Sequence, residues 1–476
     1  MLSKTIRRIA LPAAVLVLVG SWASCGDTFR PVAVPVTGPP PDPKNFHFAI
    51  VVNQNAPGNP GSGMQIDVSG DTDVGVATGG TGAVHAALTT TASRVYVVNN
   101  FNDSVSVFAP APACFVQPCR VTGTGPVTTI TLPTGSAPVF AHSTEAATMY
   151  IANRGASTIA AINTTSNVVT NTISVGAQPS VLAETPNGQK LYSVNGDGTV
   201  SSINTVDKSV NPPITGFSSP VWAVADLDSI NVFVLNSGTG LISVINAFTD
   251  TLVINTTSSA GAGANFMLLD HTLNRLYVTN PANNTVSIFD ASPTNTSISP
   301  AIAPRLLATV TMPAGAGNPV MVTALENGAT AYVISNQINA VCPVASVNSP
   351  CLTAEVTPIR ALDNSVGTPI PVGPVDLASN PLGAIDLNPA DVPAGALAAC
   401  SSAKFRTSIA SSVDSSRVYA ALCDGGMTAV VRTSDNSCVD AASQTCLTLN
   451  APSSAYTPLI GLQAPPQNPV WVVAGP

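Results

Sequence analysis

The sequence predicts an all-β fold, and three observations favour it: a surface almost without charge, many turn-forming residues, and a repeated unit headed by an aromatic residue. Hydrophobic residues make up 45% of the 476 positions and charged residues 9%, against roughly 25% charged in an average soluble domain. Such a surface must be built from Ser, Thr, Asn and Gly, which suit strands and turns. The 35 glycines and 41 prolines agree, because neither residue belongs inside a helix.

The repeated unit is a strand with a central aromatic residue, a turn rich in Gly, Asn and Asp, and a second alternating strand. The clearest heads are separated by 42, 41 and 44 residues, and they are Tyr150, Tyr192, Phe233 and Tyr277. Further heads are Tyr96 and the weaker Tyr332 and Tyr419. An asparagine ends the strand three residues after the head in five units, as Asn99, Asn153, Asn195, Asn236 and Asn280. Asparagine tolerates left-handed backbone geometry and can bond nearby main-chain groups, so it suits the start of a hairpin turn.

Each unit also has a strand before and a strand after this hairpin. Four antiparallel strands in about 40 residues predict one blade of a β-propeller. Seven units lie within the chain, and pairing strands near its two ends would complete another blade and close the ring. The sequence therefore predicts eight blades, with seven as the alternative, and residues 347–399 are interpreted mainly as an insertion that could hide a blade.

Three motifs carry a resemblance to a known family. They are LYVTN at 276–280, the PNG turn at 186–188 and ISVGAQP at 173–179. They resemble the YVTN β-propeller repeat family of bacterial exported proteins and archaeal surface-layer proteins, over about residues 50–476. The resemblance implies the propeller fold and leaves function open, because the repeated residues are the scaffold itself.

The N-terminal region predicts export. Lys4, Arg7 and Arg8 precede an apolar run from Ile9 to Gly20, the layout of a signal peptide over residues 1–24. Trp22-Ala23-Ser24-Cys25 resembles a bacterial lipobox, which implies lipidation of Cys25 and a membrane anchor in the cell envelope, periplasmic or on the cell surface. The alternative is an ordinary secretory peptide. Residues 25–45 are rich in proline and are expected to form a tether, followed by the propeller over 46–476.

The cysteine count fits an oxidising compartment. Setting Cys25 aside leaves eight of the nine cysteines, and these are candidates for disulfides. Their spacing suggests the pairs Cys114/Cys119, Cys342/Cys351, Cys438/Cys446 and Cys400/Cys423, among the 105 connectivities that eight cysteines allow. A metal site would call for C-x-x-C spacing or nearby histidines, and the sequence has neither.

The search for chemistry predicts no catalytic, cofactor-binding or metal residues. The weak catalytic candidates are His85 and His142, on first strands of successive blades, and Glu184 near the end of the next one. No G-x-S-x-G, Walker or H-E-x-x-H motif occurs. The net charge of −8 and the lack of a Lys/Arg cluster beyond the leader argue against nucleic-acid binding.

The favoured interpretation is a monomeric, lipid-anchored propeller that serves as a non-catalytic module, either for binding an envelope protein or glycan or as a structural part of the surface. One alternative is an enzyme of lactonase or lyase type acting at the channel mouth. Another is a redox-associated propeller. A lactonase would lose turnover when His85, His142 or Glu184 is replaced, and a redox protein would carry a chromophore.

Overall fold

The computed structural model describes residues 47–54, 60–68, 72–110, 128–143, 147–253, 258–292, 303–343, 349–373, 375–376, 404–423, 427–438, 447–448 and 468–475. The predicted signal peptide and tether lie outside these residues. The described residues contain 33 β-strands and no α-helix, so the all-β prediction is confirmed.

The strands follow one another along the chain with short turns between most of them. The first eleven are β1 (Phe48–Asn53), β2 (Pro60–Asp67), β3 (Thr72–Thr81), β4 (Ala83–Leu88), β5 (Val95–Asn99), β6 (Ser104–Phe108), β7 (Thr128–Thr131), β8 (Pro138–His142), β9 (Thr148–Asn153), β10 (Thr158–Asn163) and β11 (Val168–Ser174). The next eleven are β12 (Pro179–Glu184), β13 (Lys190–Asn195), β14 (Val200–Asn204), β15 (Pro220–Ala225), β16 (Asn231–Asn236), β17 (Ile242–Asn246), β18 (Thr251–Leu252), β19 (Phe266–Asp270), β20 (Arg275–Asn280), β21 (Thr285–Asp290) and β22 (Arg305–Thr311). The last eleven are β23 (Asn318–Ala324), β24 (Thr330–Asn339), β25 (Cys351–Arg360), β26 (Ile370–Pro371), β27 (Val375–Asp376), β28 (Thr407–Ser411), β29 (Arg417–Leu422), β30 (Met427–Arg432), β31 (Ser437–Cys438), β32 (Leu447–Thr448) and β33 (Pro469–Gly475).

These strands form eight antiparallel sheets, each of which is one blade. Blade 1 has the order β33-β1-β2-β3, and blades 2 and 3 contain β4–β7 and β8–β11. Blades 4, 5 and 6 contain β12–β14, β15–β18 and β19–β22, and blades 7 and 8 contain β23–β27 and β28–β32. In blade 4 the fourth position is occupied only by the isolated bridges Val200–Ile214 and Ile203–Val210. In blades 7 and 8 it is divided between two short strands that pair with the same neighbour.

The blades close into a ring. The first strands of the blades, called here the inner strands, are β33, β4, β8, β12, β15, β19, β23 and β28, and each contacts the next around the circle, from β28 back to β33. In blade 1, β1 pairs antiparallel with β33, from Phe48–Gly475 to Asn53–Pro469. The predicted closure by strands from the two ends of the chain is therefore confirmed, and the blade count is eight rather than seven.

The repeated aromatic head lies in the second strand of its blade and joins that blade to the next. All seven heads are buried. The hydroxyl of Tyr96 donates to Asn167 Oδ1 at 2.5 Å in blade 3, and the hydroxyl of Tyr332 donates to Asn436 Oδ1 at 2.7 Å in blade 8. Both acceptors have positive φ in the turn between the third and fourth strands, where asparagine is tolerated. Tyr96 and Tyr332 therefore connect their blades to the next ones through hydrogen bonds as well as filling the core of their own sheets.

The repeated asparagine is buried and fixes the hairpin behind it. Asn99 Nδ2 donates to Ser104 Oγ at 3.1 Å and to Ser106 Oγ at 2.9 Å, and both acceptors lie on the following strand. Other repeated asparagines bond the equivalent hydroxyls of their own blades. A buried amide must find partners, and the serine or threonine of the third strand supplies them.

Residues 347–399, predicted mainly as an insertion, contribute blade structure where they are described. Residues 351–360 form the third strand of blade 7, and 370–371 and 375–376 form its outer strands. The pattern is hard to recognise because this strand contains Pro358 and because ten residues of β24 pair with ten of β25. Residues 377–403 lie outside the described part.

Cys342 and Cys351 form a disulfide between the end of β24 and the start of β25, as their spacing suggests. Cys423 and Cys438 are also disulfide-bonded. Cys114, Cys119, Cys400 and Cys446 lie outside the described residues, so the remaining predicted pairs stay predictions.

Candidate functional site: the central channel

The inner strands form the wall of the central channel. Each inner strand pairs with a single neighbour in its own blade, so its second edge presents N–H and C=O groups that need other partners. Several inner strands have a proline as their first or second residue, followed two residues later by a large side chain, with a β-bulge between the two positions. These pairs are Pro138/Phe140, Pro220/Trp222 and Pro319/Met321.

His85 and His142 supply partners for this open edge. The backbone N–H of Ala141 on β8 donates to His85 Nδ1 at 3.2 Å, and that of Glu184 on β12 donates to His142 Nε2 at 3.4 Å. Each histidine thus reaches from its own inner strand to the next one along the ring. An imidazole nitrogen accepts a hydrogen bond only when it carries no proton, so both bonds require neutral rings.

The electrostatics of the channel favour the same neutral state. Burial, with a smaller contribution from His142 and then Lys404, lowers the pKa of His85 to about 3. Burial lowers the pKa of His142 to about 4. Removing an imidazolium from water is unfavourable without a counter-charge, so the two histidines remain uncharged at neutral pH.

A cluster of rings fills part of the channel. His85 stacks on Phe140 with ring centroids 4.0 Å apart and lies 4.4 Å from the ring of Trp471. Trp222 continues the cluster, with centroid distances of 5.9 Å to Phe140 and 5.8 Å to Phe405. The Trp222–Phe405 contact joins blade 5 to the segment that leads into blade 8, with blades 6 and 7 between them along the ring. Aromatic contacts therefore cross the channel.

Lys404 and Arg154 lie at the end of the channel where the inner strands begin, called here the upper face. Lys404 Nζ donates to Val221 O at 2.6 Å and lies 4.9 Å from the centroid of Trp222. The surrounding protein and, secondarily, the charge of Arg154 lower the pKa of Lys404 to about 7. Neither cation forms an ion pair with another described residue. The mouth therefore carries two cationic side chains, with N–H donors that no described residue takes up.

Glu184 belongs to a second polar group, between blades 3 and 4. Its side chain is buried, and burial together with the charge of Glu184 raises the pKa of Tyr150. Lys208 Nζ donates to the Tyr150 hydroxyl at 2.7 Å. Burial lowers the pKa of Lys208, and the charge of Glu184 opposes that effect. Tyr150 is one of the repeated heads, so this group takes part in the contact between blades.

Of the predicted candidates, the structure brings His85, His142 and Glu184 onto three successive inner strands and links them through two hydrogen bonds to the main chain. Cys25 lies outside the described residues.

Within the described residues no three His, Cys, Asp or Glu side chains are placed to hold a metal ion. No helix among them is long and apolar enough to span a bilayer.

Sequence reasoning missed the ring cluster and Lys404. A signal for the rings was present, because Pro-Val-aromatic recurs as Pro138-Val139-Phe140, Pro220-Val221-Trp222 and Pro469-Val470-Trp471. Lys404 carries no such signal. It is a single cation at the start of a weak repeat, and only the ring closure brings it beside Val221.

Comparison with known proteins supports the fold. A family model described as a lactonase with a seven-bladed β-propeller matches residues 69–210, under a third of the chain. No curated protein matches the sequence. Among solved structures, the β-propeller domain of Cps50 (Swd1) from Myceliophteria thermophila aligns at 7% identity with a TM-score of 0.51, covering 73% of this chain and 95% of that one.

Two further solved structures align over a similar share of the chain. Hydrazine synthase from Kuenenia stuttgartiensis is 15% identical, with a TM-score of 0.48 and coverage of 67% of this chain and 80% of that one. The WD40 domain of Toxoplasma gondii coronin is 10% identical, with a TM-score of 0.47 and coverage of 68% and 78%. Over residues 69–210 the chain is similar to the seven-bladed lactonase propellers, and its described residues fold as a propeller of eight blades.

Proposed function

We propose that this chain is an envelope lipoprotein, anchored through Cys25, whose propeller binds a partner without catalysis at the upper face. The observation that carries the proposal is the use of the channel histidines. His85 and His142 each accept a main-chain N–H from the next inner strand, and His85 is packed between two rings. A general base must direct a free lone pair at substrate, whereas these nitrogens join blades.

The charge at the mouth indicates the chemistry of the partner. Lys404 uses one of its three ammonium hydrogens on Val221 O, and Arg154 adds a second positive charge nearby. Burial is the main cause of the lowered pKa of Lys404, and repulsion by Arg154 adds to it. A carboxylate or another anionic group between the two cations would favour the charged form of Lys404. The proposed partner is therefore a protein or glycan that presents an acidic group.

The experiment is site-specific photo-cross-linking in envelope preparations, with the probe replacing Arg154, and with Val168 on outer strand β11 as the control position. The expected result is a discrete adduct from position 154 alone, with its yield reduced severalfold by Lys404→Met. The matched control is Arg305→Gln, an exposed cation on outer strand β22, which should leave the yield unchanged. Equal labelling from both positions, or no effect of Lys404→Met, would contradict the proposal.

The anchor is tested separately. Palmitate labelling of the wild-type chain and of Cys25→Ala should differ, with the label lost in the variant. Unchanged labelling would remove the lipid anchor from the proposal while leaving the upper-face binding site to be judged by cross-linking.

A lactonase activity is the second candidate, and one observation favours it: His85, His142 and Glu184 all fall within the residues that match the lactonase family model. The test is hydrolysis of a panel of sugar and acyl lactones by the wild type, His85→Asn and Glu184→Gln. Turnover that both changes abolish in folded protein would establish the enzyme and displace the binding proposal.

A further inference from the structure

Exposed apolar residues recur on the face opposite the channel mouth. This lower face, where the inner strands end, carries the turns between third and fourth strands. In blades 3, 4, 5, 7 and 8 the second residue of that turn is its tip, and the tips are Thr165, Val206, Phe248, Leu362 and Ser434. Three tips are large and apolar, and Val206, Phe248 and Leu362 are 84%, 86% and 86% exposed. Single exposed apolar residues are ordinary, whereas three at the same position of the repeat place apolar side chains on one face of the propeller.

Hydrogen bonds hold these turns in place. Asn204 Oδ1 accepts the N–H of Val206 at 2.9 Å, and Asn246 Oδ1 accepts that of Phe248 at 2.9 Å. Asp250, two residues after Phe248, accepts bonds from Tyr192 at 2.6 Å and from Ser202 at 2.8 Å. The tips therefore project from a rigid blade rather than from a long loop.

The N-terminal segment joins the propeller at the same face. His47 precedes β1, and its carbonyl accepts the N–H of Val68 in the turn that follows β2. Phe48 pairs with Gly475 at the end of inner strand β33. The described chain thus begins on the same face of the propeller as the turns that bear the apolar tips.

We propose that Val206, Phe248 and Leu362 insert into the boundary between headgroups and acyl chains of the membrane that holds the Cys25 anchor. The inference rests on the lipid anchor of the proposed function. A stretch of about 20 residues between anchor and propeller can span roughly 60–70 Å, so the anchor alone leaves the orientation of the propeller open. Insertion of the tips provides the second membrane contact that stable attachment requires, and it directs the upper face with Lys404 away from the bilayer.

The charges beside the tips select the type of lipid. Asp207 and Asp363 directly follow Val206 and Leu362 and accept hydrogen bonds from Ser209 and Ser365. Asp363 also lies 3.6 Å from Arg360, and Lys208 directly follows Asp207. The charges beside these two tips are therefore balanced and offer no net attraction to anionic headgroups. The partner surface is therefore a zwitterionic bilayer.

The first test uses the full lipidated chain in phosphatidylcholine vesicles whose acyl chains carry bromine near the headgroup. A tryptophan introduced as Phe248→Trp is expected to lose emission relative to the same protein in unbrominated vesicles. The matched control is Phe101→Trp, at a partly exposed position on the upper face, and its emission should not change. Equal quenching at both positions, or none at Phe248→Trp, would overturn the inference.

The second test removes the anchor and retains the tips. Full-length Cys25→Ala is floated with phosphatidylcholine vesicles, alone and with Val206→Ser, Phe248→Ser and Leu362→Ser combined. Loss of three inserted apolar side chains should lower partitioning about tenfold or more. The control combines Val168→Ser and Leu306→Ser on outer strands with Val210→Ser at the isolated outer bridge of blade 4, and it should float as Cys25→Ala does. Equal flotation of all three proteins would overturn the inference.

The outcomes separate the two proposals. Palmitate labelling without tip quenching would leave the anchor standing and reject membrane insertion. Loss of flotation in the tip variant without palmitate labelling would support insertion and reject the anchor. Capture of the tips by a protein, with no vesicle binding, would reject insertion.

Discussion

The Nδ1 atom of His85 accepts a hydrogen bond from the backbone N–H of Ala141 at a distance of 3.2 Å. The two residues lie on different blades, so an imidazole completes the open edge of a neighbouring inner strand. A comparable bond joins His142 to Glu184 one blade further on. Two residues that sequence reasoning selected for catalysis therefore contribute to the assembly of the ring.

His85→Phe should destabilise the propeller although it keeps an aromatic ring between Phe140 and Trp471. The N–H of Ala141 would lose its acceptor, at a cost of about 1–3 kcal/mol. His85→Asn retains an acceptor at the Nδ1 position and should cost less. Chemical denaturation followed by tryptophan fluorescence measures the difference. Equal stability of His85→Phe and wild type would show that water satisfies this N–H.

The two histidines should also make stability depend on pH. Their folded-state pKa values, about 3 and about 4, lie below the ordinary value of 6.5, so the unfolded chain binds more protons between these limits. Stability is then fully present above about pH 6.5 and decreases as the pH falls towards 4, with a slope of up to about 1.4 kcal/mol per pH unit for each histidine.

The control for this prediction is a chain with His85→Asn and His142→Gln, whose amide oxygens can accept the same bonds without titrating. Its unfolding midpoint should change less than that of the wild type between pH 6.5 and 4.5. Parallel pH profiles for the two proteins would show that the histidines are not the titrating groups.

Asp250 should be one of the most sensitive turn residues. It accepts bonds from Tyr192, Ser202, Asn211 and Lys190, which belong to blade 4 or the segment that follows it. Asp250→Ala leaves a half-buried ammonium unpaired and places alanine at a φ of 55°. We expect a loss of about 3–5 kcal/mol, measured by thermal unfolding. Asp207→Ala, in an exposed turn of blade 4, should change stability far less.

The Cys342–Cys351 disulfide closes a short loop with a sequence separation of 9. Replacing both cysteines by serine should lower stability by about 2–3 kcal/mol, because the loop is no longer restrained in the unfolded chain. Peptide mapping without reduction should find the Cys342–Cys351 link in the wild type. A linkage of either cysteine to another partner would contradict the predicted local pairing.

Much of the fold could be predicted because each repeated residue occupies a fixed place in a strand or a turn. Tyr96, Asn99 and their counterparts recur at fixed offsets, and each offset corresponds to a strand centre or a turn. Blade 7 was harder to recognise in the sequence, because Pro358 and the long pairing of β24 with β25 depart from that pattern. The channel mouth could not be predicted, since Lys404 and Val221 are far apart in sequence and meet only across the closed ring.

The pairing of β1 with β33 also constrains the order of events during biogenesis. Phe48 is among the first propeller residues to be synthesised, and Gly475, its partner, is among the last. Contacts of such high sequence separation form slowly, so blade 1 stays incomplete until nearly the whole polypeptide is available. The ring therefore closes last, when the final strand of the propeller becomes available to pair with its first.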